Sequence, residues 1–465
     1  MKKNKIFVLL PDGVGFRNFA YSSFNKLGIK RNYDITYWNN TPFALKDLGF
    51  PEIRIINSKP HPLSDILKKA KVQIELNLNI KRSNDIVYDS YRFPHDYSTF
   101  KARIKSVCTI ILTRLLSSEK GLVFLQSTIR TLERKTCYYS DSVHTLKTEQ
   151  PDLVFCTNQR HINTFATLLA AKDLGIPTVC FIYSWDNLPK ATVVVETDYY
   201  FVWSDYMKAE LQYYYSYIKS EQIIVTGSPQ FEMHFKSSKL TNREFFFQQY
   251  GLDLQKKYIC FSGNDVTSVP DDPKYLEDIA RRVKELNAKG QQIGIIFRKC
   301  PVDFSDRFNT VIAKYPDEIV AINPLWEKFS SSWNAIFPTK DDNELFSAIA
   351  EHCEMVITIG SSTVFDFIAH NKPTGYIKYN QKFQLNKNWN IYKCYQFIHF
   401  RSMPNKDSVF WINHPNEIDD CIAEIFDQKA GNIIANAKQW FEIINQHPPQ
   451  LASERIWNAF DELLN

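Results

Sequence analysis

Apolar residues along this chain fall into short β-branched or aromatic runs that alternate with longer stretches of helical spacing. In the first half the runs are Lys5 to Leu10, Asp34 to Tyr37, Ile53 to Ile56, Asp152 to Cys156, Thr178 to Tyr183, Tyr199 to Trp203 and Ile223 to Thr226. Their continuous apolar character fits strands buried on both faces. Helical spacing occupies Phe16 to Leu27, His161 to Leu174 and Asp205 to about Tyr217, with Gly175 and Pro177 closing the second. The second half restarts the alternation. Strands are predicted at Tyr258 to Ser262, Gln292 to Phe297, Glu318 to Ile322 and Val356 to Ile359, with a helix over Lys274 to Lys289. Asp341 is the expected N-cap of another helix, with Glu344 as its capping-box partner and Leu345, Ile349 and Cys353 on one face. The tail, 432–464, is helical by pattern, interrupted at Pro448-Pro449. Alternation of this kind predicts an α/β protein built on parallel, doubly wound sheets.

Gly227-Ser228-Pro229-Gln230-Phe231-Glu232 breaks the pattern and marks a crossover between domains. The predicted organisation is 1–235, 236–430 and a helical tail, 431–465. A chain of 465 residues is long enough for two or three domains. With 44% hydrophobic and 23% charged residues it is globular rather than disordered. Its 56 basic and 51 acidic residues leave a formal charge of +5, too mild to nominate nucleic acid as a partner. Nine cysteines without a CxxC pair and ten histidines without HExxH spacing predict neither disulfides nor a metal site. The apolar run Ile6 to Leu10 ends in Pro11-Asp12-Gly13, so it reads as a first strand rather than a signal peptide. No apolar run reaches the about 18 residues of a membrane span, and a cytoplasmic protein is expected.

The richest stretch is 355–377. After the strand, Gly360 is followed by Ser361, Ser362 and Thr363, then by a helical pattern carrying Val364, Phe365, Asp366, Ile368 and Ala369. A hydroxyl-rich loop between a parallel strand and a helix can cradle a phosphate on free backbone N–H groups. It can equally be an ordinary turn with a serine N-cap.

The segment GSSTVFDFIAHNKP resembles the donor site of nucleotide-sugar glycosyltransferases with two Rossmann-like domains facing a cleft, the GT-B architecture. It is most similar to the branch of bacterial surface-polysaccharide transferases and CDP-glycerol glycerophosphotransferases, with Ser361-Ser362-Thr363, Asp366 and Lys372-Pro373 carrying the match. UDP-N-acetylglucosamine 2-epimerases share that fold and a similar segment. The resemblance implies a first domain for the acceptor, a second for the nucleotide donor, and terminal helices that cross back onto the first. It implies a glycosyltransferase of bacterial cell-surface polysaccharide, metal-independent and without a cofactor, the nucleotide sugar being a co-substrate. The partners implied are that donor and a glycan or lipid-linked glycan acceptor, at the inner face of the cytoplasmic membrane. Transfer of polyol phosphate from a CDP-polyol, epimerisation, and a non-catalytic carbohydrate-binding subunit are the alternatives.

Within that frame the donor set is Gly263, Asn264, Arg298, Lys299, Ser361, Ser362, Thr363 and Asp366. Arg298-Lys299 ends a strand, where a guanidinium can fork onto phosphate oxygens. The sequence continues Cys300-Pro301, where the CDP-glycerol branch has His-Pro. Asp12, in the loop after the first strand, is the expected base, its pKa raised by burial; Asp186, within Ser184-Trp185-Asp186-Asn187, is the second candidate. Both segments also suit plain turns. Gly13, Arg17 and Trp185 complete the acceptor set, Trp185 by stacking on a sugar. Finally, 100–134 interleaves Lys101, Arg103, Lys105, Arg114, Lys120, Arg130 and Arg134 with apolar residues. It reads either as a contact with anionic membrane or as a packed helix with a solvated basic face.

Overall fold

The computed structural model describes residues 3–329 and 336–464. It divides the chain into two compact units, Met1–Pro229 with Ile444–Asn465, and Gln230–Ile443. The sequence pattern had set these borders at 235 and 430.

The first unit is built on seven parallel strands: β1 (Lys5–Leu10), β2 (Asp34–Asn39), β3 (Glu52–Arg54), β4 (Leu153–Cys156), β5 (Thr178–Phe181), β6 (Tyr199–Val202) and β7 (Ile223–Val225). Their order is β3-β2-β1-β4-β5-β6-β7. The chain winds outward from β1 to β3, then returns to β4 on the other side of β1. The winding therefore reverses between β1 and β4, and the loops after these two strands meet at the carboxyl edge where open α/β sheets bind ligands. β4 and β5 are buried along their whole length, in keeping with helices on both faces.

Chain punctuation follows local chemistry. The single helix expected over Phe16 to Leu27 is two, Gly13–Ala20 and Phe24–Lys30. Ser22 Oγ accepts from Phe24 N at 3.2 Å, a side-chain bond that competes with continuing the first helix. The 100–134 stretch is likewise two helices, Phe100–Leu115 and Glu119–Glu133, capped by Thr99 and Ser118. At the end of β7, Gly227 takes φ +77°, a left-handed conformation that side chains disfavour. Next to it Ser228 N donates to Asn445 Oδ1 at 2.7 Å, and Arg455 Nε donates to Thr226 O at 2.8 Å. The last helix, Ala452–Leu464, adds Trp457 and Phe460 to the core of this unit. Trp457 stacks on Phe24 at 4.7 Å and its Nε1 donates to Phe24 O.

The second unit holds β8 (Lys257–Ser262), β9 (Ile293–Arg298), β10 (Ile319–Ala321), a two-stranded antiparallel ribbon of β11 (Trp326–Lys328) and β12 (Ile336–Pro338), β13 (Cys353–Thr358), β14 (Thr374–Ile377) and β15 (Phe410–Ile412). Six of them form a parallel sheet in the order β10-β9-β8-β13-β14-β15. Winding reverses here between β8 and β13. Alternate residues feed two cores. Ile259, Phe261, Ile295 and Ile357 pack with the helix Asp272–Ala288, while Tyr258, Cys260, Ile296 and Val356 pack with Leu345, Ile349 and Phe367. The helix Lys340–His352 starts two residues earlier than expected. Thr339, not Asp341, is its N-cap, with Oγ1 accepting from Asp342 N at 3.2 Å. That frees Asp342, in the first turn, for another task.

Candidate active site

Asp12 follows β1 and N-caps the helix Gly13–Ala20. Its Oδ1 accepts from Gly15 N at 2.8 Å. Its Oδ2 accepts from Asn158 Nδ2 at 2.8 Å and lies 3.2 Å from His161 Nε2. Asn158 and His161 come from the loop after β4, so one carboxylate joins the two loops at the winding reversal. Gly15 permits this closeness, because a Cβ there would meet Thr157 Oγ1 at 2.4 Å. Gly13 is buried in the same first turn.

The protonation of Asp12 runs opposite to the expectation. Burial alone would raise its pKa. The hydrogen bond and charge of His161, with the Gly15 N–H and Asn158, outweigh it and hold the carboxyl below its usual range. A carboxylate whose oxygens are so engaged is a poor base and a good orienter. The open member of the pair is His161, whose side chain is 25% exposed and whose Nδ1 has no hydrogen bond among the described residues. In the sequence His161 only opens a helical pattern, and Asn158 and Arg160 are not among the expected site residues. The available signal was a polar run, Asn158 to His161, directly after a wholly buried strand.

Around this pair the β5 loop is stitched down. Gln159 Nε2 donates to Asn187 Oδ1 at 3.1 Å and Gln159 Oε1 accepts from Tyr183 N at 2.9 Å. Burial, reinforced by the charge of Asp12, pushes the Tyr183 hydroxyl pKa up against the opposing charges of Arg17 and Arg160. Asp12, Arg17 and Arg160 thus share one electrostatic neighbourhood. Arg17 is half-buried, its Nε donating to Asn18 Oδ1 at 3.0 Å. Two expectations for the β5 loop need correction. Trp185 is 5% exposed, too buried to stack on a sugar from solvent. Asp186 is paired with Lys190 and accepts from Asn187 Nδ2, so it braces the loop rather than waiting for a proton. It also helps burial push the Glu210 carboxyl up to about 8.

In the second unit the loops after β8 and β13 are joined by Thr358 Oγ1, which donates to Ser262 O at 2.9 Å. Gly263 N donates to Arg298 O at 2.9 Å, and Asn264 N to Asp272 Oδ2 at 2.5 Å. Asp272 is wholly buried, and burial pushes its pKa up to about 7 despite the Asn264 N–H and Arg307. Across from it, Ser362 is exposed and Ser361 half-buried. Ser361 Oγ accepts from Thr363 N at 3.3 Å, and Tyr376 OH donates to Ser361 O at 2.7 Å. The Thr363 hydroxyl is buried without a partner among the described residues. The structure therefore gathers Gly263, Asn264, Ser361, Ser362 and Thr363 at one winding reversal, with Lys299 at the end of the neighbouring β9.

Arg298 and Asp366 are placed differently from the expectation. Arg298 is buried, and its Nη2 donates to both Asp342 oxygens at 2.8 Å. Asp342 also accepts from Leu325 N and Trp326 Nε1. Nη2 thus serves this junction, while Nη1 is buried with no hydrogen-bond partner among the described residues. Asp366 turns to His234, whose Nε2 lies 2.9 Å from its Oδ1. His234 Nδ1 is 3.0 Å from His370 Nε2, and His370 Nδ1 is 2.7 Å from Glu351 Oε2. This carboxylate–imidazole–imidazole–carboxylate chain spans three elements and was not legible in the sequence. Among the described residues no group of three or more His, Cys, Asp or Glu side chains is arranged to hold a metal ion. No helix among them is long and apolar enough to cross a membrane.

No protein-family model matches the chain, and no curated protein does. Among solved structures it is similar to the UDP-GlcNAc 2-epimerase from Methanocaldococcus jannaschii, at 13% identity over 99% of this chain and 100% of that one, TM-score 0.53. A glycosyltransferase from Rickettsia africae matches at 12% identity over 100% of both chains, TM-score 0.51. The wall teichoic acid polymerase TagF matches at 11% identity over 99% of this chain and 89% of that one, TM-score 0.50. At these identities the likeness shows the fold, which is of the GT-B type.

Proposed function

We propose that this protein is a glycosyltransferase that moves a sugar from a nucleotide donor to a glycan acceptor, with no resident cofactor. The observation that carries the reading is the Asp12–His161 pair at the winding reversal of the first sheet. In the proposed step, His161 Nδ1 takes the proton of the acceptor hydroxyl. That oxygen bonds to the anomeric carbon, and the carbon–oxygen bond to the nucleoside diphosphate breaks, its electron pair leaving with the phosphate. Asp12 holds the imidazole through Nε2 and stabilises the imidazolium, the role of the carboxylate in other carboxylate–histidine pairs. In the second unit the β8 and β13 loops would receive the diphosphate. The Ser361–Thr363 hydroxyls and backbone would take its oxygens, and Lys299 would supply the charge. The fold is shared with a UDP-GlcNAc 2-epimerase, which makes uridine nucleotides the first donors to test.

The test is calorimetry with UDP, CDP and their sugar conjugates, followed by nucleotide-release assays with the donor that binds. His161→Gln is expected to lower kcat about 10²–10⁴-fold while donor affinity and circular dichroism stay unchanged. Asp12→Asn should lower kcat in the same direction, because the ring loses the carboxylate that holds it. A fully active His161→Gln enzyme removes the dyad from the mechanism. Sugar epimerised at C2 without an acceptor, seen by NMR, replaces the transferase reading by the epimerase one.

A further inference from the structure

The helix Phe100–Leu115 is inside out. Its buried residues are Ser106 and Thr109, both polar. Phe100 is 80% exposed, Leu115 76%, Val107 and Ile111 49% and Ile104 47%. At 100° per residue these five fall within a stripe about 80° wide, directly opposite the polar face. The exposed cations Lys101, Arg103 and Arg114 flank the stripe. Solvated helices carry the reverse pattern, and a contiguous exposed apolar face marks an interaction surface.

The same helix walls a pocket of about 590 Å³, closed by the helix Ser64–Ser83, the segment before Phe100, the loop from Lys190 to Val194, and Arg160. Six cations line it: Lys68, Lys69, Lys101, Lys105, Arg160 and Lys190. Two acids join them, Asp65 and Asp96. Asp65 is taken by Lys69 at 3.2 Å and Lys105 at 3.7 Å, and Lys190 by Asp186. Lys68, Lys101 and Arg160 have no ion pair among the described residues. Burial depresses the Lys68 pKa, and the nearby Arg160, Lys69 and Lys71 depress it further against Asp65. Six cations against two acids give the pocket an excess of positive charge. Arg160 adjoins His161, so the pocket lies beside the proposed base in the chain.

We propose that this pocket binds the phosphate or diphosphate group of an anionic lipid while the apolar stripe of its own helix rests in the bilayer interface. The charge excess selects an anion, and the flanking cations suit a negatively charged surface. The apolar stripe on the outer face of the helix whose inner face lines the pocket, with the exposed Lys101 between them, favours a source embedded in lipid over a free phosphate. Taken with the transferase reading, on which this last step rests, the acceptor is a lipid carrying its glycan on a phosphate.

The experiment is co-sedimentation of the full chain with vesicles of phosphatidylcholine alone, or mixed with phosphatidylglycerol or phosphatidic acid. Binding is expected only to the two anionic mixtures, weakening as salt rises. The double variant Lys68→Gln/Lys101→Gln should bind them roughly 30-fold more weakly. The triple variant Phe100→Ser/Ile104→Ser/Ile111→Ser should fail to sediment with any vesicle, with circular dichroism and Tm unchanged. Wild-type protein that ignores anionic vesicles, or a stripe variant that still binds them, overturns the proposal. Pyrophosphate binding by calorimetry without vesicle binding assigns the pocket to a soluble phosphate compound and also overturns it. A stable dimer that the stripe variant dissolves, without vesicle binding, makes the stripe a contact between copies instead. Calorimetry with nucleotide sugars separates the two readings: no donor binding alongside vesicle binding removes the transferase and leaves the lipid site.

Discussion

At the end of β9 two cations sit side by side, Arg298 committed to Asp342 and Lys299 half-buried without an ion pair among the described residues. The difference is set by alternation along the strand, which turns one side chain toward the helix Lys340–His352 and its neighbour away. Substitutions should therefore separate. Arg298→Ala leaves Asp342 buried beside only neutral donors and should cost about 3–5 kcal/mol, the range for breaking a buried pair. Lys299→Ala should leave stability intact and weaken donor binding by about 1.5–3 kcal/mol, the scale of a charged hydrogen bond. Urea unfolding checks the first and calorimetry the second. A stable Arg298→Ala protein with weakened donor binding would return the guanidinium to the phosphate. Asp12 and His161 show the same dependence on partners: neither residue type is unusual, and the chemistry comes from a 3.2 Å approach between loops of adjacent strands.

Between elements, the most informative contact is the Glu351–His370–His234–Asp366 chain. It ties the helix Lys340–His352 to the helix Thr363–Ile368 and to the short helical turn Pro229–Phe235. Burial and the neighbouring His234 lower the His370 pKa to about 4, although Glu351 and Asp366 pull it upward. The usual value is 6.5, so between about 6.5 and about 4 the unfolded chain takes up a proton that the folded chain refuses. Stability must then fall as pH drops through that window, and be unaffected by this group above it. Thermal melts at pH 7 and pH 5 should show a smaller loss in His370→Gln than in the wild type. An equal loss in both would mean that other groups govern the acid limb. The two helices at 100–134 differ in kind, since their apolar residues face outward as well as inward, and element pattern alone could not tell which.

At the scale of the molecule, each sheet reverses its winding once, and each reversal collects the chain's polar loop residues at one carboxyl edge. The tail completes the first unit. Trp457 is fully buried, stacked on Phe24, and its neighbour Asp461 accepts from Arg31 Nη1 and Tyr33 OH. Trp457→Ala should cost about 3–5 kcal/mol, as large-to-small changes do in a packed core. Guanidinium unfolding followed by circular dichroism would measure it. A loss below about 1 kcal/mol would mean that the last helix is an ornament to the first unit.

The sequence by itself determined the central strands of both sheets, because burial on both faces requires continuous apolar runs visible in one dimension, but it did not show the short β11, β12 and β15. It determined the α/β class, the break after Gly227, and the loops that hold Asp12, Gly263 and Ser361, because a residue just past a buried strand must lie at a sheet edge. It also showed the basic and apolar interleaving of 100–134. Tertiary structure alone decided which polar residues remain available there. Arg298, Asp366, Trp185 and Asp186 looked as free as Lys299 until Asp342, His234, burial and Lys190 claimed them. It alone brought His161 to Asp12, since the two lie far apart in the chain and meet only because β4 pairs with β1. Pairwise electrostatics and burial depend on which strands are neighbours, and a one-dimensional pattern carries no information about that until the sheet order is known.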